Sequence, residues 1–446
     1  MKGKNELFLK EMSIEKLLIS MSLQTTLSII MYSLYNIINM IYVSRFIGTY
    51  AVGGLVVSSP IFIVLGAVST TLGSGAASVI SRSLGETDYE KANKSAANTF
   101  LIFGITALII SIIGLSLLDP LVYLLGATDK LASYSKDYLR VILFGAITST
   151  AFSSIIRAEG NAKFSTYLWV IPVIINMILD PIFIIVLKMG VTGVAIATVI
   201  SQICSVLMSM YYFFVSGKSM LKISVRHFKP SIMIIREIIA IGIPSFIQQA
   251  SSSILIIIMN NILKVYGGDL TISAYGITSR LSTFLIIPQT GLVQGVQPII
   301  GYNFGAGEFH RVRKAVKLSS IAVASYGVIV FIISQLIPKT LLSIFSSDKS
   351  VVELGAIILR YITITFPFTG MQNVAAAFFQ STGKFITSLV LSLCSNNLCY
   401  IPILLIMSKL FGIKGIWLSF PIASVLSFII LLIFINKKLN KRNILN

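Results

Sequence analysis

The chain repeats itself. SRSLGETDYEKANK (Ser81 to Lys94) returns as GYNFGAGEFHRVRK (Gly301 to Lys314), with Gly85/Gly305, Asp88/Glu308, Tyr89/Phe309 and Lys91/Arg311 in register. AKFSTYLWVIPVIINMILDP (Ala162 to Pro181) returns as GKFITSLVLSLCSNNLCYIP (Gly383 to Pro402), keeping Phe164/Phe385, Asn176/Asn397 and Pro181/Pro402. GVTG (Gly190 to Gly193) returns as GIKG (Gly412 to Gly415). A fold built on this duplication has two halves, residues 1–220 and 221–446, of matching architecture. In a duplicated membrane protein the substrate path runs between the copies, because that is the surface able to rock.

The copies are membrane-spanning. The chain is 55% hydrophobic and 11% charged, against roughly 25% charge in a soluble domain. About twelve apolar runs of spanning length occur, six per half, each needing roughly 20 residues. They lie near 17–43, 51–79, 96–118, 134–156, 164–187, 191–215, 237–263, 271–299, 318–337, 350–377, 385–408 and 413–435. They do not alternate as barrel strands do, so the expected fold is an all-α membrane protein. An even number of spans per copy makes the repeats parallel.

The net charge of +19 at first suggests nucleic acid, but its placement excludes that partner. With the N-terminus inside, 23 of the 35 Lys and Arg fall in inner segments and nine in outer ones. Arg140, Arg280 and Arg360 fall within spans. This bias predicts a multi-pass protein of the cell membrane with both termini cytoplasmic. The charged start and the long first apolar run predict no cleaved leader. The linker Ser216 to Glu237 carries five of the inner cations, and Leu221, Ile223, Val225, Phe228 and Ile232 allow it to lie in the interface. A solvated basic linker is the equal alternative. Cys204, Cys394 and Cys399 sit in apolar runs and read as packing residues.

Enzyme signatures and metal motifs are absent from the sequence: His227 and His310 lie in basic loops, and no HExxH, P-loop or CxxC occurs. No cofactor is expected. Of sixteen acids, only Asp180 lies well inside an apolar run. Insertion scales put an Asp at bilayer depth at about 2.5–3.5 kcal/mol unfavourable. Its repeat partner is Ile401, so the scaffold does not demand the acid, and a functional carboxylate is expected. Asn176 lies one turn away on the same face. Pro172 and Pro181 leave the carbonyls of Leu168 and Met177 without their helical donors and serve as candidate hinges. An acid, an amide and free carbonyls suit H+ or Na+, Na+ at Asp180 being the one metal expected. Polar residues recur on the first span (Ser28, Tyr32, Tyr35, Asn36, Asn39) and the seventh (Gln248, Gln249, Ser252, Ser253, Asn260, Asn261). Of these, Tyr32, Asn36, Gln249, Ser253 and Asn260 are candidates for the wall of a wet cavity, with Arg280 as a cation within it. Helix–helix hydrogen bonding is the competing role for such stripes. Glu159, in the turn after the fourth span, is a candidate gate.

Several segments together resemble the multidrug and toxic compound extrusion (MATE) family, in its MepA-like bacterial branch. They are LYNIINMIYVSRFIG (Leu34 to Gly48), NMILDPIFI (Asn176 to Ile184), GIPSFIQQ (Gly242 to Gln249), ISAYGITSR (Ile272 to Arg280) and QGVQPIIGYNFGAG (Gln294 to Gly307). The resemblance implies twelve transmembrane helices in two six-helix lobes forming a V. It further implies export of cationic or amphipathic compounds by alternating access, in exchange for H+ or Na+. A monomer is expected. Its coupling-ion pocket maps onto Tyr35, Asn39, Asn176, Asp180 and Thr198. Two departures stand out: Asn39 replaces the family's usual Asp, and Ser44 its usual Gly. Rival readings are a lipid-linked oligosaccharide flippase, which calls for several cations in the cavity where only Arg280 qualifies, and a non-transporting membrane scaffold.

Overall fold

The structure is a computed structural model that describes residues 8–146, 152–346, 348–394 and 398–439. Every regular element among the described residues is helical. The first repeat supplies α1 (Ile14–Tyr42), α2 (Thr49–Gly85), α3 (Tyr89–Ser116), α4 (Leu118–Leu124), α5 (Asp129–Phe144), α6 (Phe152–Ala158), α7 (Ala162–Pro181) and α8 (Gly190–Met210). A 3-10 turn at Val225–Phe228 lies in the linker. The second repeat supplies α9 (Ile232–Tyr266), α10 (Gly268–Gly305), α11 (Phe309–Leu336), α12 (Pro338–Ser343), α13 (Lys349–Thr363), α14 (Phe366–Ser381), α15 (Phe385–Leu393) and α16 (Tyr400–Leu439). The two lists run in parallel, with α3 and α11 both 28 residues long, except that α16 takes up the counterparts of both the end of α7 and α8.

Among the described residues nine helices are long and apolar enough to cross a membrane, and α13 with α14, bent by 45°, makes a tenth. The remaining apolar runs are divided among helices in particular ways. The run at 134–156 is divided between α5 and α6. The run at 385–408 begins in α15 and continues in α16, and that of 413–435 follows it in the same helix across a kink at Gly412.

Backbone geometry follows the duplication. Thr87 and Gly307, at the same repeat position, both adopt left-handed φ, 61° and 74°. Asp88, next in line, caps α3 by accepting from the Lys91 N–H at 2.9 Å. The returned G-x-x-G marks a second shared corner: Gly190 has φ 59° and Gly412 φ 56°, a region glycine enters without steric penalty. The last glycine of each corner sits where a side chain would collide. A Cβ on Gly193 would come 2.9 Å from Phe183 Cβ, and one on Gly415 would come 1.8 Å from the Met407 carbonyl oxygen.

The chain forms two compact units. One holds Met1–Met12 and Leu27–Gly242; the other holds Ser13–Thr26 and Ile243–Asn446. Within the first, Gly75 of α2 lies against the start of α9, where an added Cβ would meet the Ile238 carbonyl oxygen at 2.0 Å. Within the second, the repeat partner Gly295 of α10 lies against α1, 2.9 Å from Ser22 N on the same construction. Each repeat's second helix thus seats the beginning of the other repeat's first helix through a glycine, and only a bare backbone permits the approach.

Candidate intramembrane ion site

Three helices of the first unit converge on Asp180. α7 presents Asn176 and Asp180, four residues apart and so on one face. α1 presents Tyr35 and Asn39 at the same spacing, and α8 presents Thr198. Asp180, Asn176, Thr198 and Asn39 are all buried. α7 survives Pro181 by widening into a π turn at Ile182–Val186, and Gly190 then starts α8.

The hydrogen bonds run in one direction. Asn39 Nδ2 donates to the Tyr35 hydroxyl at 3.2 Å. That hydroxyl lies 3.1 Å from Thr198 Oγ1, and Thr198 Oγ1 donates to the Val194 carbonyl at 2.9 Å. With Oγ1 committed as a donor, Tyr35 supplies the proton between the two hydroxyls. Asn176, in the amide orientation its neighbours demand, donates to Asp180 Oδ2 at 2.8 Å and accepts from the Thr198 N–H at 3.1 Å. Asp180 Oδ1 is buried and accepts no hydrogen bond among the described residues. Such an orphaned acceptor costs about 1–3 kcal/mol, and more where a charge is involved. The cluster therefore holds one carboxyl group with one oxygen engaged and the other without a hydrogen bond among the described residues.

The five residues Tyr35, Asn39, Asn176, Asp180 and Thr198 are accordingly brought together. Tyr138 of α5 joins them: it is buried, stacks on Phe62 at 5.5 Å, and lies within electrostatic reach of Asp180 and Tyr35. Tyr138 shares its helical face with Tyr134 and Ser135, but no acid or amide stands with them there, so periodicity alone offers little to tie it to Asp180. Trp169 of α7 is a second addition, edge-on to Tyr32 at 5.5 Å.

Other candidates are placed differently. Asn36 is exposed and donates to the carbonyl of Tyr32 in its own helix at 2.8 Å; Tyr32 is exposed and 6.3 Å from Tyr35, ring to ring. Gln249 is half-buried, Asn260 and Arg280 are exposed, and the Ser253 side chain lies outside the described residues. The four belong to the second unit. The carbonyl that Pro172 leaves free does not join an oxygen cage at Asp180, because Ser205 Oγ donates to the Leu168 oxygen at 3.0 Å. Near that carbonyl the proline is absorbed by a helix–helix bond.

Glu159, in the turn between α6 and α7, is fully buried. It accepts from the Met220 N–H at 2.6 Å, from Ser219 Oγ at 2.9 Å and from the Tyr212 hydroxyl at 3.4 Å. Burial pushes its carboxyl up to about 7, against the pull of these donors. This side chain fastens the linker at Ser219 and Met220 to the turn between α6 and α7.

The family model MatE matches residues 25–182 and 244–406, once in each repeat. The chain belongs to the MatE family. Its MATE relatives include the multidrug export protein MepA of Staphylococcus haemolyticus (strain JCSC1435), 28% identical over 431 residues, covering 95% of this chain and 93% of that protein. MepA of Staphylococcus aureus (strain N315) is 27% identical over 428 residues, covering 95% and 94%. Among solved structures, the MATE multidrug transporter DinF-BH, solved as a complex, is 35% identical, with a TM-score of 0.86 and 95% of both chains covered. An outward-facing MATE transporter of the MOP superfamily superposes with a TM-score of 0.92 at 24% identity, over 99% of both chains. This MATE protein is an integral membrane protein of helical spans, and the duplicated match coincides with its internal repeat.

Proposed function

We propose that the protein is a multidrug efflux antiporter of the cell membrane. It exports cationic or amphipathic organic compounds in exchange for a cation bound at Asp180. The single observation that carries the coupling is the buried carboxylate with an unbonded oxygen, set among Tyr35, Asn39, Asn176 and Thr198. The relatives named as multidrug export proteins, and the multidrug transporter DinF-BH, support the substrate class. Positive-inside charge supports cytoplasmic termini.

A proton fits this cluster better than Na+. The Asn176 oxygen accepts from Thr198 N–H, and the Thr198 hydroxyl donates to a carbonyl and accepts from Tyr35. A hard cation needs several oxygens with free lone pairs, whereas a proton needs one acceptor, and Asp180 Oδ1 supplies it. Uptake of the cation from outside neutralises Asp180, which lets α7 bend at Pro172 and Pro181 and releases the drug outward. Loss of the cation to the cytoplasm resets the cycle between the halves 1–220 and 221–446. Coupling requires that drug and cation favour opposite conformations.

The test is transport in proteoliposomes with pH and Na+ gradients imposed separately, across a panel of cationic dyes. Efflux driven by the pH gradient and abolished by Asp180→Asn is the expected result. Undiminished gradient-driven efflux by that variant removes Asp180 from the scheme, and drive by Na+ alone removes the proton.

A further inference from the structure

The linker 216–231 joins the end of one span, Val215, to the start of the next, Ile232. It therefore runs along the membrane interface, and the structure fixes which of its sides looks inward. Glu159 holds Ser219 and Met220. Asn93 of α3 accepts from the Lys222 N–H at 2.8 Å. Asn98 accepts from the Ser231 N–H at 2.8 Å and donates to the Lys229 carbonyl at 3.4 Å. Met220, Leu221 and His227 are buried against the unit, and the Phe228 ring faces Phe100 at 6.5 Å. The His227 Nδ1 accepts from the Ser224 N–H at 3.0 Å, with Glu90 3.3 Å from its other nitrogen. Leu221 and Phe228 are thus turned inward.

The outward side has a different composition. Val225 is 90% exposed, Ile232 81% and Met233 76%. Lys222, Lys229 and Arg236 stand exposed around them, and none makes a side-chain ion pair among the described residues. The one acid at this end of the linker, Glu237, is taken by Arg82 at 2.7 Å and Lys91 at 3.3 Å. Arg226, next to Val225, lies 3.8 Å from Glu90, which leaves Lys222, Lys229 and Arg236 as the cations without acidic partners; with apolar side chains on a backbone pinned at four places, they match a surface that is apolar beneath and anionic above.

We propose that this strap is a docking site for anionic phospholipid headgroups: Val225, Ile232 and Met233 enter the acyl boundary while Lys222, Lys229 and Arg236 hold the phosphates. The phosphate chemistry discriminates headgroups by charge, so a zwitterionic lipid satisfies the apolar residues and leaves the three cations without a net anionic partner.

The full-length protein carrying Val225→Trp, reconstituted in phosphatidylcholine vesicles, tests it. Brominated phosphatidylglycerol and brominated phosphatidylcholine are compared as quenchers at equal mole fraction, with the wild type giving the background from Trp169 and Trp417. The expected result is a preference for the anionic quencher of roughly fivefold or more. It falls to parity when Lys222→Gln, Lys229→Gln and Arg236→Gln are added, and it is kept by Lys222→Arg with Lys229→Arg. All these positions are exposed, and dye efflux by each variant reports that the fold is intact. Equal quenching by both lipids overturns the proposal, since the strap would then touch bulk lipid only. Absence of quenching by either overturns it too, and would leave the strap to water or to an acidic soluble partner.

Discussion

The two repeats use one backbone plan for two different interiors. At the positions of Tyr35, Asn39, Asp180 and Thr198, the second repeat carries Leu255, Met259, Ile401 and Phe420. Leu255, Met259 and Phe420 pack into an apolar cluster with Tyr275, Tyr400, Ile416 and Trp417. The corners agree nonetheless: Gly190 with Gly412, Thr87 with Gly307, Gly75 with Gly295. Main-chain geometry has been kept where it shapes the turn or the helix approach, and side-chain chemistry has been freed to diverge. The polar cluster of the first repeat is therefore no requirement of the fold, since the same scaffold closes over hydrocarbon in the second.

The contrast between interiors is challenged most directly by Ile401→Asp. Asn397, the counterpart of Asn176, is kept four residues before Ile401, but with Leu255, Met259 and Phe420 in place of Tyr35, Asn39 and Thr198 a carboxylate at this depth is expected to lose about 2.5–3.5 kcal/mol, seen as a drop of several degrees in the thermal midpoint of the purified protein, with no gain in gradient-driven efflux. A variant of unchanged stability that moved a second cation per drug would show the two interiors to be interchangeable.

The corners give a smaller effect. Gly415→Ala drives a Cβ into the Met407 carbonyl, whereas Gly193→Ala meets the Phe183 and Met189 side chains. Backbone yields less readily than side chain, so Gly415→Ala is expected to cost roughly 1–3 kcal/mol and Gly193→Ala less, read as paired thermal midpoints. Equal losses would mean that the two corners are packed alike after all.

The most local effect concerns Glu159, which has no acid at its counterpart in the QSTGK turn of the second repeat (Gln380 to Lys384). Its carboxyl is raised from 4.5 to about 7 in the fastened linker, so the fastened form binds the proton more tightly than the released one. The attachment is therefore strongest below about pH 4.5 and weakens as pH rises through 7. Hydrogen exchange at the Met220 amide, corrected for its intrinsic rate, should lose protection on the order of 100-fold between pH 5 and 8. Glu159→Gln keeps an acceptor without a charge and should flatten that profile; a wild-type profile already flat would show the donors of Tyr212, Ser219 and Met220 to outweigh burial.

The duplication, the helical class, the spans and the isolation of Asp180 were all legible in the residues, because each is a property of runs and counts. Asn176 was legible too, being one turn from Asp180 on the same helix. Where the pattern failed, the packing of other helices decided the outcome. Periodicity placed Asn36 and Asn39 on one stripe, yet Asn39 is buried on Tyr35 while Asn36 is exposed and bonds its own helix. The Leu168 carbonyl counted as free until Ser205 of α8 reached it.

The order of amino acids alone requires this chain to cross a bilayer in two related sets of helices, since apolar length and composition leave no other way to satisfy the backbone in lipid. It also requires that one set carry a carboxylate the other lacks. Folding in three dimensions settles the rest: which hydroxyls and amides gather around that carboxylate, that Tyr138 stands among them, and which side of the linker faces outward. Those outcomes depend on the rotation of one helix against another, which is set by packing at contacts such as Gly75 and Gly295 and is written in no single stretch of sequence.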